Sequence, residues 1–268
     1  MAFIFVASTG RCGTKFLTAV WKYFTKYPSF HEPVPYCAGQ TLREVNNECG
    51  MNKSSREELR TKLLQISGDA KEGNYFESNQ MFIKSYLHLV VYKKEFRPLY
   101  VIYLHRNPIE VTMSYFKKTF PSHDMSWHLQ PQWQKNLMRG RKGLGFHEIS
   151  LWQCFEIRER FLLWKDKFDK TYDFDFRKIS DPEEYRKMFA HFEIEHELPQ
   201  KFPDNFFHPR KTMNAIQEDP AITFKRIIED WGARGQDPTK SAQDHFFESK
   251  EQQIRELQQK KGEKNNEA

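Results

Sequence analysis

The sequence predicts an α/β protein with a mainly parallel sheet flanked by helices. Three stretches predict it. Phe3 to Ala7 is a short apolar run of aromatic and β-branched residues; it ends in the turn cluster Ser8-Thr9-Gly10 and gives way to helical spacing from Thr14. Leu99 to Leu104 is the strongest buried-strand signal and runs through His105-Arg106-Asn107-Pro108 into a helix. Tyr172 to Phe176 reads as a strand, and a helix opens after Ser180-Asp181-Pro182. Strands alternating with helices build a parallel sheet covered on both faces.

In order, Phe16, Leu17, Val20, Trp21 and Phe24 share one helical face after the first strand. Pro33 and Pro35 stop any helix near His31-Glu32, so Glu32 sits at a strand end or in a loop. Arg56 to Ile66 reads as a surface helix and Met81 to Ser85 as a strand. Pro108 suits the first turn of a helix from about Ile109 to Lys118. Residues 119–146 hold no steady period and read as a lid carrying Phe120, Trp127 and Trp133. His147 to Phe168 reads as a long amphipathic helix. Ser180 or Asp181 caps the next helix, with Pro182 in its first turn. Residues 195–220 read as a Pro-rich connection and Ala221 to Trp231 as a helix. We expect one α/β domain over 1–235 and a charged C-terminal helix with a fraying tail over 236–268.

The chain of 268 residues can bury a sizeable core. Its aromatic content of 15% argues against disorder, and a mean hydropathy of −0.80 describes a polar surface. No apolar run approaches the roughly 18 residues of a membrane span. Forty-two basic and 36 acidic residues leave a net charge of +6. This surplus favours anionic ligands and is too dispersed to indicate a specific nucleic-acid partner. Cys12, Cys37, Cys49 and Cys154 form no C-x-x-C pair, which speaks against zinc or dithiol chemistry. Four unpaired thiols and an N-terminus without a basic leader suggest a cytoplasmic protein.

Two sites carry chemistry. Ser8 to Lys15 joins the first strand to its helix, where backbone N–H groups and the helix dipole attract an anion. Gly10 and Gly13 allow close approach, Arg11 and Lys15 add charge, and Thr14 adds a hydroxyl. Cys12, inside this loop, is expected to have its thiol pKa lowered. The order Gly13-Thr14-Lys15 breaks the G-K-S/T of a Walker A loop, and the strand ending at Leu104 supplies no Asp for magnesium. The second site is Arg106, leaving the end of a central strand, with Ser114 eight residues on in the next helix. A guanidinium fork and a hydroxyl suit a phosphate monoester.

Together these sites resemble the sulfotransferase family that uses 3′-phosphoadenosine 5′-phosphosulfate (PAPS). The family's K/R-x-G-T-x-F/W/L loop appears as Arg11-Cys12-Gly13-Thr14-Lys15-Phe16, and its R-N-P-x-D/E-x-x-x-S stretch as Arg106 to Ser114. Tyr172-Asp173-Phe174 and Asp181-Pro182-Glu183 resemble its Y-E-D-L…D-P-E piece, with Phe174 in place of the second acid. The resemblance spans residues 3 to 193. It implies a P-loop-type sulfotransferase fold, here with a helical C-terminal extension. It also implies PAPS as donor, adenosine 3′,5′-bisphosphate as product and no metal. Thr9, Gly10, Arg11, Cys12, Gly13, Thr14, Lys15 and Phe16 are then expected at the 5′-phosphosulfate, and Arg106 and Ser114 at the 3′-phosphate. Arg141-Lys142-Gly143 repeats the letters of a further 3′-phosphate contact but lies mid-chain.

Sulfuryl transfer needs positioning and charge neutralisation, which Arg11 would supply at the leaving phosphate. The acceptor, a hydroxyl or amine of a small molecule or carbohydrate, needs a general base. Glu32 is the first candidate, His88 the second and His31 the third, because Tyr86 stands where some branches carry a His. Lys84 is a candidate for the sulfuryl group. Two rivals stay open: a magnesium-dependent nucleotide phosphotransferase, and a non-catalytic nucleotide- or nucleic-acid-binding protein. Oligomeric state is not legible.

Overall fold

Among the described residues five segments become strands: β1 (Phe3–Ala7), β2 (Ser29–His31), β3 (Tyr75–Ser78), β4 (Leu99–His105) and β5 (Lys170–Asp175). They form one sheet in the order β2-β3-β1-β4-β5, and every pairing is parallel. The coordinates are a computed structural model that describes residues 2–46, 50–119, 129, 146–203 and 206. The helices are α1 (Thr14–Phe24), α2 (Gly39–Val45), α3 (Lys53–Asp69), α4 (Leu87–Val91), α5 (Pro108–Thr119), α6 (Phe146–Trp164) and α7 (Pro182–Phe192). A π-helical turn, Phe82–Tyr86, leads into α4. Among the described residues no helix is long and apolar enough to cross a membrane.

β1 is buried along its whole length because helices cover both faces of the sheet. Its side chains alternate: Phe3, Phe5 and Ala7 enter one core, Ile4 and Val6 the other. On the second face Trp21 of α1 stacks on Phe76 at 4.4 Å between ring centroids. The predicted face of α1 is thus half right. Leu17, Val20 and Trp21 are buried, whereas Phe16 and Phe24 turn partly outward against Phe202 and Phe206. Chain connections run one way from β1 to β2 and the other way from β4 to β5. The loops after β1 and β4 therefore flank the point where the winding reverses, which is where such sheets bind ligands.

Two expectations need correction. Met81 to Ser85 is not a strand; the strand lies just before it, at Tyr75–Ser78. Asn79 starts a helical turn instead, its side chain accepting from the Met81 N–H and its carbonyl from the Phe82 N–H. The apolar Met81-Phe82-Ile83 then packs under the sheet, with Phe82 stacked on Phe5 at 4.5 Å. A short apolar run carries no period that separates these outcomes. The helix α6 is not amphipathic in its first half either, for every residue from Ile149 to Ile157 is buried. Among the described residues the other predicted strands and helices appear, including the Asp181 cap, whose carboxylate accepts from the Glu183 N–H, and the connection predicted over 195–220 is described only for 195–203 and 206. The segment 120–128 with Phe120 and Trp127, Trp133, Arg141-Lys142-Gly143, the 221–231 helix and the 236–268 tail lie outside the described residues.

Among the described residues one ion pair is wholly buried. Lys62 of α3 donates to Glu77 of β3 at 2.8 Å, with both side chains excluded from solvent. Tyr75, Tyr86 and Asn79 also donate to this carboxylate, so its lone pairs are satisfied. The network ties α3 and the π-helical turn to the strand beside β1.

Candidate active site

The loop after β1 is held in a conformation that its glycines permit. Gly10 and Gly13 have φ of 86° and 85°, and Arg11 between them has φ of 58°. A Cβ on Gly10 would come within 2.6 Å of the Tyr115 hydroxyl, and one on Gly13 within 3.0 Å of the Phe176 ring. Carbonyls of the loop turn inward. The Thr9 carbonyl accepts from Tyr115 Oη at 2.5 Å, Gln153 Nε2 at 3.1 Å and Lys84 Nζ at 3.3 Å. The Gly10 carbonyl accepts from the Thr9 hydroxyl and the Cys12 thiol. Gly13 leaves α1 with no side-chain cap on its first N–H groups. Such an end, with its dipole, suits an anion.

The second sequence motif meets this loop directly. Arg11 Nε donates to Ser114 Oγ of α5 at 3.0 Å. Arg106 follows β4 and reaches the Arg11 carbonyl through Nη1 at 3.4 Å. Its Nε donates to Glu110 at 2.7 Å, and its guanidinium lies 4.2 Å from the centroid of the Phe176 ring. Three contacts thus orient Arg106 beside the loop while leaving its fork partly exposed.

A third group approaches from β2 and the π-helical turn. Lys84, expected at a strand end, is fully buried and donates to Gln80 Oε1 at 2.9 Å and Gln153 Oε1 at 3.1 Å, besides the Thr9 carbonyl. Burial pushes its pKa down to about 7, while the Glu32 carboxylate opposes that shift. Glu32 follows β2 as predicted, with φ of 47°, and its carboxylate accepts from Gln80 Nε2 at 3.4 Å. An acidic side chain held in this left-handed region is a strained position of the kind that gathers at functional sites. His31 Nε2 lies 3.8 Å from Glu32, and its Nδ1 is 2.9 Å from Ser78 Oγ.

The remaining candidates are placed unevenly. Thr14 begins α1 and is buried; Lys15 beside it is exposed. The Phe16 ring packs edge-on against Phe202 and Phe206. His88 lies on α4, half-buried, one helical turn beyond Lys84. Cys12 corrects an expectation: burial raises its thiol pKa, and that outweighs its hydrogen bonds and the nearby cations. Sequence reasoning missed Tyr115, Gln80 and Gln153. Tyr115 adjoins Ser114 and Gln80 precedes Lys84 by one helical turn, so both had a positional cue. Gln153, far along the chain, had none.

No family model matches the chain. No curated protein matches it either. Among solved structures it is similar to a sulfotransferase from Alicyclobacillus acidocaldarius, with 10% identity over 87% of this chain and 92% of that one, and a TM-score of 0.48. What the site does is therefore argued from its own residues.

Proposed function

We propose that this chain transfers a sulfuryl group from PAPS to a hydroxyl or amine of a small-molecule or carbohydrate acceptor. One observation carries the reading: the contact between Arg11 and Ser114, which joins two motifs 103 residues apart into one anion-binding surface. A donor bearing two separate phosphate ends needs such a pair of sites. The amides of Gly10 to Phe16, with Thr14, Arg11 and Lys15, hold the 5′-phosphosulfate in this reading, and Arg106 and Ser114 hold the 3′-phosphate.

The acceptor oxygen or nitrogen attacks sulfur, and the bond from sulfur to the 5′-phosphate oxygen breaks. The acceptor proton passes to Glu32, and adenosine 3′,5′-bisphosphate leaves with its charge met by Arg11. Lys84 is buried beside the loop with its protons directed at Gln80, Gln153 and the Thr9 carbonyl, and in this reading its charge acts on the sulfuryl group through the loop it holds. No magnesium enters this scheme.

Calorimetric titration tests it. Adenosine 3′,5′-bisphosphate is expected to bind tightly, and AMP and magnesium ATP weakly. Preference for magnesium ATP would overturn the reading in favour of phosphoryl transfer. Absence of binding with a steep salt dependence for DNA would favour a nucleic-acid role.

A further inference from the structure

Gln153 sits in the middle of α6, fully buried, with both ends of its amide hydrogen-bonded. Nε2 donates to the Thr9 carbonyl at 3.1 Å, and Oε1 accepts from Lys84 Nζ at 3.1 Å. Gln80 mirrors it on the other side of the lysine. Its Oε1 accepts from Lys84 at 2.9 Å and its Nε2 donates to Glu32 at 3.4 Å. An ammonium has only donors, so each amide must present its oxygen to Lys84 and turn its NH₂ away. One amide then points at the anion loop and the other at the Glu32 carboxylate.

We propose that Gln153 is a positioning residue that locks the anion loop to Lys84, so that the loop carbonyl and the lysine hold one geometry together. Its consequence for catalysis rests on the sulfuryl-transfer reading above; the coupling itself rests on the amide geometry alone.

The charged and titratable groups facing Lys84 come from several elements. Glu32 lies beyond β2, Cys12 in the loop, and Cys154 and Arg160 on α6. Tyr115 of α5 shares both the Thr9 carbonyl and Gln80 Oε1 with the lysine. Against this fixed background, changing Gln153 alters one acceptor of the ammonium. Gln153→Met removes that acceptor and favours the neutral amine. Gln153→Glu sets a carboxylate in its place and favours the ammonium.

The experiment follows Lys84 by NMR in protein carrying 13Cε-labelled lysine, in the wild type and both variants, with no ligand added. The wild-type midpoint is expected near neutral pH. It should fall by about one pH unit or more in Gln153→Met and rise by about as much in Gln153→Glu. Midpoints that stay together in all three proteins would show that the Gln153 side chain does not hold the lysine, and that result overturns the proposal. Should a variant fail to fold, the wild type decides: the Gln153 side-chain amide signals must shift with the Lys84 midpoint, and independent behaviour refutes the coupling. In folded Gln153→Met the dissociation constant for adenosine 3′,5′-bisphosphate is expected to rise about tenfold, as the loop loses a buried hydrogen bond. If the wild type does not bind the bisphosphate, the donor reading fails while the lysine titration still judges Gln153.

Discussion

Arg11 Nε donates to Ser114 Oγ at 3.0 Å, bridging the loop after β1 and the helix after β4. The two residues lie 103 positions apart in the chain. The parallel pairing of β1 with β4, in register from Phe3 with Leu99 to Ala7 with Tyr103, sets the two strand ends side by side. The loops that leave them then meet, with Arg106 donating to the Arg11 carbonyl.

Arg106 is oriented by Glu110, the Arg11 carbonyl and the Phe176 ring before any ligand arrives. Preorganisation of this kind lowers the entropy cost of binding. Arg106→Ala is expected to weaken adenosine 3′,5′-bisphosphate binding by about 1–3 kcal/mol. Calorimetry would show it, and unchanged affinity would remove Arg106 from the donor site.

Glu32 is expected to act in turnover and not in donor binding. Glu32→Gln keeps the shape that meets Gln80 and His31 but cannot accept a proton. Turnover should fall by about 10²–10⁴-fold with bisphosphate affinity unchanged. Activity that survives the change would pass the role of base to His88 or His31.

Lys84 gives a pH-dependent stability with a definite sign. Its folded pKa, about 7, is below its unfolded value, so the unfolded chain binds more protons between the two. The lysine therefore destabilises the fold fully below pH 7, and the penalty is relieved as pH rises from there toward the unfolded pKa. Lys84→Met carries no such charge. The Tm of Lys84→Met relative to wild type should become more favourable as pH falls from 9 to 6, whatever the constant effect of the lost hydrogen bonds. A Tm difference flat with pH would show that the buried amine does not titrate in this range.

The Lys62–Glu77 pair is fully excluded from water, so removing one partner strands the other. Lys62→Met leaves a buried carboxylate without its cation and should cost about 3–5 kcal/mol. The double variant Lys62→Met/Glu77→Gln removes the stranded charge and should recover a large part of that loss. Urea denaturation measures both, and equal losses in the two would mean that packing, not charge, dominates at this site.

The sequence alone determined the sheet type and the place of the two motifs at strand ends, because those features are local. Phe3–Ala7 and Leu99–His105 carry their burial in a few consecutive residues, and Gly10, Gly13, Arg106 and Ser114 stand at fixed spacings next to strand ends. Glu32 was legible in the same way, since Pro33 ended any regular structure there. Tertiary structure alone decided the rest. Met81 to Ser85 had no period to mark it as helical; in the structure the Asn79 hydrogen bonds start a helical turn there and Phe82 packs on Phe5. That turn is what sends Lys84 inward, away from the solvent a strand end would have offered. Tyr115, Gln80 and Gln153 acquire meaning only when α5, the π-helical turn and α6 converge on the Thr9 carbonyl. Cys12 shows the same limit: a position in the loop suggested a lowered thiol pKa, but the pKa of a buried group is set by its surroundings in space.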